Sequence, residues 1–180
     1  MSTAATDVQE IRGFLDEEGQ PTGKLPGFAD KAENLVKLYR AMLLTRAFDE
    51  KAVALQRTGR LGTYASSLGQ EAVGVGVAAA MRPDDVLLPS FREQSAMMWR
   101  GVSMSELLLY WGGDERGSDF STARRDFPIC VPVATHFTHA AGAAFALKRQ
   151  GDAVAVAIAG SSEVAVAPRM SVGSAFGFPY

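Results

Sequence analysis

The sequence predicts an α/β fold, a parallel sheet with helices packed on it, from three stretches. Ala153 to Gly160 reads Ala-Val-Ala-Val-Ala-Ile-Ala-Gly, a short uncharged run ending in glycine, as expected of a strand buried on both faces. Just ahead of it, Thr135 to Gln150 is an alanine-rich helix candidate. It ends in Lys148, Arg149 and Gly151, where the helix dipole favours cations and glycine closes the last turn. Val86 to Pro89 supplies another apolar strand after the turn Arg82-Pro83-Asp84-Asp85. In such sheets ligands lie beyond the carboxyl ends of the strands, where free backbone N–H groups can meet an anion. Two turns therefore matter. Ser90-Phe91-Arg92-Glu93 follows one strand. Gly160-Ser161-Ser162-Glu163 follows the other, and its serines and acid fit the start of a further helix.

Composition limits what this fold can serve. With 180 residues and 47% hydrophobic content, the chain can build one domain with a real core. A net charge of -2 offers no basic field for nucleic acid or an anionic membrane, and no apolar run approaches the roughly 20 residues of a membrane span. The lone Cys130 cannot form an internal disulfide, and it reads as a small buried hydrophobe. Asp7, Glu10, Asp16, Glu17 and Glu18 stand where a signal or transit peptide would be basic and apolar, so a reducing cytoplasm is the expected setting.

Residues 1–30 mix polar residues with Pro21, Pro26 and four glycines, and read as an amino-terminal arm. A long core-packing helix is expected from Ala32 to Thr58, with Leu35, Leu38, Met42, Leu44, Phe48, Ala52 and Leu55 at helical spacing. Arg46, Asp49 and Glu50 would form its solvated face or a subunit contact. Gly59 to Tyr64 breaks that helix, and Leu68-Gly69-Gln70-Glu71 opens another running to Met81, whose Gly74 and Gly76 would admit a close neighbour. The match Gly74-x-Gly76-x-x-Ala79 to a dinucleotide fingerprint is rejected, because no hydrophobic strand precedes it.

Arg92 stands just past a strand's end, placed either to bind phosphate or to pair with Glu93 or another acid. A short helix over Gln94 to Arg100 follows, and Ser103-Met104-Ser105-Glu106 is a capping box for the next. Gly112 to Pro128 is a loop long enough to be functional or mobile. Ile129 to Val133, interrupted by Pro132, reads as an extended segment. His136 and His139 could share a metal by spacing, but no third ligand accompanies them, so packing is the expected role.

Taken in order, Leu43-Leu44-Thr45-Arg46-Ala47-Phe48-Asp49, Gly59 to Tyr64, Gly69-Gln70-Glu71-Ala72, Leu88-Pro89-Ser90-Phe91-Arg92-Glu93 and Ala140-Ala141-Gly142 carry a family resemblance. Together with Ala153 to Gly160, they resemble the alpha subunit of thiamine-diphosphate-dependent 2-oxo acid dehydrogenases, nearest the pyruvate dehydrogenase (acetyl-transferring) type, over about Ala32 to Gly160. The resemblance implies a partial thiamine-diphosphate-binding fold, with residues 31–180 its truncated amino-terminal part. It further implies an α2β2 assembly with a beta subunit and oxidative decarboxylation of pyruvate on thiamine diphosphate and Mg²⁺. The acyl group would pass to a lipoyl-bearing acyltransferase.

By the same resemblance Phe91 lies near the cofactor and Arg92 on its diphosphate. The backbone at Val131 and Val133 lines the aminopyrimidine, and Gly160 opens the metal turn. No acid–base catalyst is identified. Ser161-Ser162 stand where the family has Asp-Gly, Pro168 interrupts the following helix, and the family's asparagine ligand does not occur by Tyr180. No metal ligand is therefore assigned, and the chain as written is expected neither to bind Mg²⁺-thiamine diphosphate tightly nor to turn over pyruvate. A branched-chain 2-oxo acid dehydrogenase is the alternative enzyme, and a non-catalytic copy that only pairs with other subunits is the alternative of another class.

Overall fold

The computed structural model describes residues 13–151, 153–159 and 163–167. They fall in two compact units, 1–37 and 38–180. In the first, Leu15 and Pro21 form an antiparallel bridge, the Asp16 carboxylate accepts the Gln20 N–H at 2.7 Å, and a 3-10 turn covers Gly27–Asp30.

The second unit holds an α/β arrangement. Its elements are α1 (Ala32–Arg57, which begins before the unit boundary), α2 (Glu71–Ala80), β1 (Val86–Leu88), α3 (Gln94–Trp99), α4 (Met104–Trp111), α5 (Thr135–Gln150), β2 (Ala155–Ala159) and β3 (Glu163–Ala167). β1 pairs with β2 in parallel, Val86 opposite Ala155 and Leu88 opposite Ala157. The two-residue period then divides the core between the sheet's faces. Val86, Leu88, Ala155 and Ala157 pack against Ala140 and Leu147 of α5. On the other face Leu87 and Ile158 join a larger cluster with Phe48 and Ala52 of α1, Ala78 of α2, Ala96 and Met97 of α3, and Leu107 and Trp111 of α4. Ala155 to Ile158 are all buried, as their uncharged run predicts.

The structure departs from the sequence reading after β2. Instead of a helix beginning at Ser161 to Glu163, residues 163–167 form β3, antiparallel to β2, with Ala159 opposite Glu163 and Ala155 opposite Ala167. The reason is visible in Val164 and Val166: alternating β-branched residues favour an extended chain over a helix, whatever capping chemistry precedes them. Among the described residues the sheet is thus mixed, with one parallel pair extended by one antiparallel strand.

α1 buries only part of the expected face: Phe48 and Ala52 are inside, and Leu35 is exposed. Leu44 is exposed, whereas Thr45, Phe48, Asp49 and Ala52 are buried, so Asp49 belongs to the interior and not to a solvated face. On α2, Gly74 is the glycine that permits close approach, since a Cβ there would lie 2.0 Å from the Ser95 hydroxyl, while one at Gly76 would meet nothing within 4 Å. The capping box of α4 forms as read: Ser103 Oγ accepts the Glu106 N–H at 3.2 Å and the Glu106 carboxylate accepts the Ser103 N–H at 2.7 Å.

The loop after α4 contains a 3-10 turn, Glu115–Ser118, and its end is anchored along β1. The Leu87 N–H donates to Asp126 Oδ1 at 2.9 Å. Phe127 and Cys130 return their N–H groups to the carbonyls of Leu87 (2.9 Å) and Pro89 (3.1 Å). Asp126 is held in turn by Arg100, through Nε at 2.6 Å and Nη2 at 2.9 Å. Cys130 is half-buried, because its segment lies along the sheet's edge and not inside the core. No described helix is long and apolar enough to cross a membrane.

Candidate functional site at the carboxyl ends of β1 and β2

The site begins where the parallel ladder stops. Val86 donates its N–H to the Val154 carbonyl at 2.9 Å, and the two-residue step of a parallel ladder would bring the Ser90 N–H to the Ile158 carbonyl. The chain turns at Pro89 instead. The Ser90 N–H faces the Glu93 carboxylate, which also accepts the Arg92 N–H at 3.1 Å. The Ile158 carbonyl is taken by the buried His136, whose ring Nε2 lies 2.8 Å away. A carbonyl only accepts, so Nε2 carries the proton, and burial lowers the pKa of this imidazole and favours its neutral form. His136 thus ties the start of α5 to the end of β2. Just before it, Ala134 sits at φ +64, the one positive φ of a non-glycine among the described residues.

Around this edge the structure brings together some of the residues singled out from sequence. Phe91 and Arg92 are half-buried in the turn after β1, with the guanidinium over the Phe91 ring at 5.3 Å from its centre. Arg92 Nη1 donates to the Ser66 carbonyl, and among the described residues no carboxylate pairs with this guanidinium. The expected alternative, an ion pair with Glu93, is not formed, because the Glu93 carboxylate turns back onto backbone N–H groups. Burial pushes that carboxyl up to about 7. Val131 and Val133 follow Cys130, whose bond to Pro89 carries their segment to the same edge; their side chains are 48% and 80% exposed. Gly160 lies outside the described residues, although β2, parallel to β1, leads toward the same edge.

Other residues of the site gave little signal in the sequence. Gln94 Nε2 donates to the carbonyls of Ala65 (3.0 Å) and Phe91 (3.1 Å), and Arg46 pairs with Glu71 at 2.6 Å. Both contacts join distant segments, and among Arg92, Glu93 and Ser95 the polarity of Gln94 does not stand out. Among the described residues no group of three or more His, Cys, Asp or Glu side chains is placed to hold a metal. His139, the companion of His136, stacks on Phe127 with ring centres 6.3 Å apart.

Comparison with known proteins agrees with this architecture. Residues 39–167 match the Dehydrogenase E1 component family. The chain is 40% identical over 134 residues to a pyruvate dehydrogenase E1 component subunit alpha of Acholeplasma laidlawii, covering 74% of this chain and 37% of that protein. It is 36% identical over 135 residues to the same subunit of Mycoplasma genitalium, again 74% and 37%, and 34% identical over 154 residues to that of Staphylococcus aureus, 84% and 41%. The chain therefore spans about two fifths of the length of these curated relatives. With more than half of its residues matched, this chain belongs to the dehydrogenase E1 component family.

Proposed function

We propose that the chain is the amino-terminal part of an alpha subunit of pyruvate dehydrogenase, and that its β1 turn supplies the cationic half of a thiamine diphosphate site. The observation that carries this reading is Arg92, a guanidinium held by a carbonyl and an aromatic ring, with no carboxylate at ion-pair distance among the described residues. A diphosphate needs such a group, since charge-assisted N–H contacts to phosphate are short and strong. Phe91 would pack against the cofactor, the backbone at Val131 and Val133 would line its aminopyrimidine, and Gly160 would approach the diphosphate. When bound, the cofactor supplies the carbanion chemistry of decarboxylation; the protein's share is binding and orientation.

The relatives named as pyruvate dehydrogenase subunits support pyruvate over a branched-chain 2-oxo acid. In this reading the chain pairs with a beta subunit in an α2β2 assembly, and the acyl group passes to a lipoyl-bearing acyltransferase. The metal half of the site is different. Ser161 and Ser162 offer neutral oxygens, poorer ligands for a hard divalent cation than a carboxylate.

Titration calorimetry of the chain with thiamine diphosphate, in the presence of a beta subunit, tests both halves. Binding is expected to be weaker than micromolar, indifferent to Mg²⁺, and about tenfold weaker again, though still measurable, in Arg92→Ala. Inserting Asp-Gly after Gly160 is expected to introduce Mg²⁺ dependence. Affinity unchanged in Arg92→Ala would sink the assignment.

A further inference from the structure

Asp49 lies in the interior of α1 at 2% exposure and is committed entirely to one loop. Its Oδ1 accepts the Tyr64 hydroxyl at 2.8 Å, the Ser67 N–H at 2.7 Å and the Ser67 hydroxyl at 3.3 Å, while Oδ2 accepts the Ser66 hydroxyl at 2.7 Å. The other side of that loop faces the turn after β1, where the carbonyls of Ala65 and Ser66 receive Gln94 Nε2 and Arg92 Nη1. Ser66 belongs to both rows, with its hydroxyl on Asp49 and its carbonyl on Arg92.

Residues 62–69 contain no helix or strand, so these side-chain bonds set the loop's course. We infer that Asp49 is a positioning residue for the anion site: it fixes the Ser66 carbonyl, and that carbonyl fixes the Arg92 guanidinium. The inference rests on Arg92 being the diphosphate ligand. Its logic is electrostatic as well as geometric. A carboxylate paired directly with Arg92 would order the guanidinium but cancel the charge an anion needs. A neutral carbonyl orders it and leaves the charge intact, and the acid that holds the carbonyl stands one residue removed. An arginine ordered beforehand also loses less rotamer freedom when the anion arrives.

The test is a double-mutant cycle on thiamine diphosphate affinity, measured by calorimetry on the whole chain with a beta subunit. Asp49→Asn keeps the side chain's size but replaces one acceptor oxygen by an amide donor, and is expected to weaken binding about tenfold. In the Arg92→Ala background the same change is expected to have no further effect, a result that a general loss of packing would not give. An Asp49→Asn effect undiminished in that background, or none in the native one, overturns the positioning role while leaving Arg92 as the ligand. No effect of Arg92→Ala alone overturns the reading of Arg92 and this inference with it. Should Asp49→Asn fail to give a cooperative melt, Ser66→Ala removes only one of the four bonds, and the same cycle is read with it.

Discussion

Glu93, in the turn after β1, and Glu106, in the first turn of α4, are both buried glutamates whose carboxylates accept backbone N–H groups. They are 5% and 9% exposed, yet burial pushes Glu93 up to about 7 while Glu106 is held down to about 2. The difference lies in which effect leads: lost hydration at the more deeply enclosed Glu93, hydrogen bonding at Glu106. Glu106 accepts the N–H groups of Ser121 at 2.6 Å and Ser103 at 2.7 Å, one on each oxygen, and these bonds dominate. Glu93 has the Arg92 N–H at 3.1 Å and the Ser90 N–H facing it, yet removal from water outweighs these bonds and the nearby Arg92 charge. At the helix end hydrogen bonding thus wins, whereas beside the candidate anion site the loss of hydration does. Under-compensated acids of this kind concentrate at functional sites.

The largest effect that would break this contrast is expected from Glu106→Ala. It removes a charged acceptor from two backbone N–H groups and half of a capping box, and should cost about 3 kcal/mol in urea denaturation at neutral pH. A loss below about 1 kcal/mol would show that hydrogen bonding does not dominate at Glu106.

Glu93 should sharpen the comparison through the sign of its pH dependence. Its native carboxyl keeps its proton to about 7, whereas the unfolded chain releases it near the ordinary value of 4.5. Between these values the native state binds more protons, so stability falls as pH rises through the window, by roughly 2 kcal/mol once relaxation of the site is allowed. Glu93→Gln is expected to abolish that fall and to be more stable than the native chain at pH 8. Glu106 acts in the opposite sense, its contribution being lost as pH falls from 4.5 toward about 2.

The smallest effect is expected from Ser103→Ala, which removes the N-cap hydroxyl but leaves both N–H contacts of Glu106 in place. About 1 kcal/mol in thermal or urea unfolding is the expected cost. A loss as large as that of Glu106→Ala would mean that the serine, and not the carboxylate, holds this end of α4.

Much of this architecture was legible because it is local. The capping box at Ser103, the apolar strand at Val156 and the basic end of α5 each depend on residues within a turn or two. Asp49 was misread for the converse reason. Arg46, Asp49 and Glu50 look like a solvated face when only α1 is in view, and the Asp49 partners Tyr64, Ser66 and Ser67 come from another segment. β3 failed differently, since Ser161 to Glu163 is good capping chemistry and it outweighed the alternation of Val164 and Val166, which pairing with β2 rewards. For the candidate site, Phe91 and Arg92 could be located by the rule that ligands sit at strand ends. The Ser66 carbonyl could not, because a backbone acceptor leaves no trace in residue type.

The anchoring of Asp126, Phe127 and Cys130 along β1 has a consequence for how this sheet meets other chains. An open strand edge is a template for uncontrolled addition of further strands. Here the outer N–H of Leu87 and the carbonyls of Leu87 and Pro89 are already spoken for by a segment that is not a strand and contributes a carboxylate locked to Arg100. The β1 border is therefore closed to polymerisation, with Asp126 acting as a gatekeeper, and misassembly through that border would first require the Arg100 clasp to open.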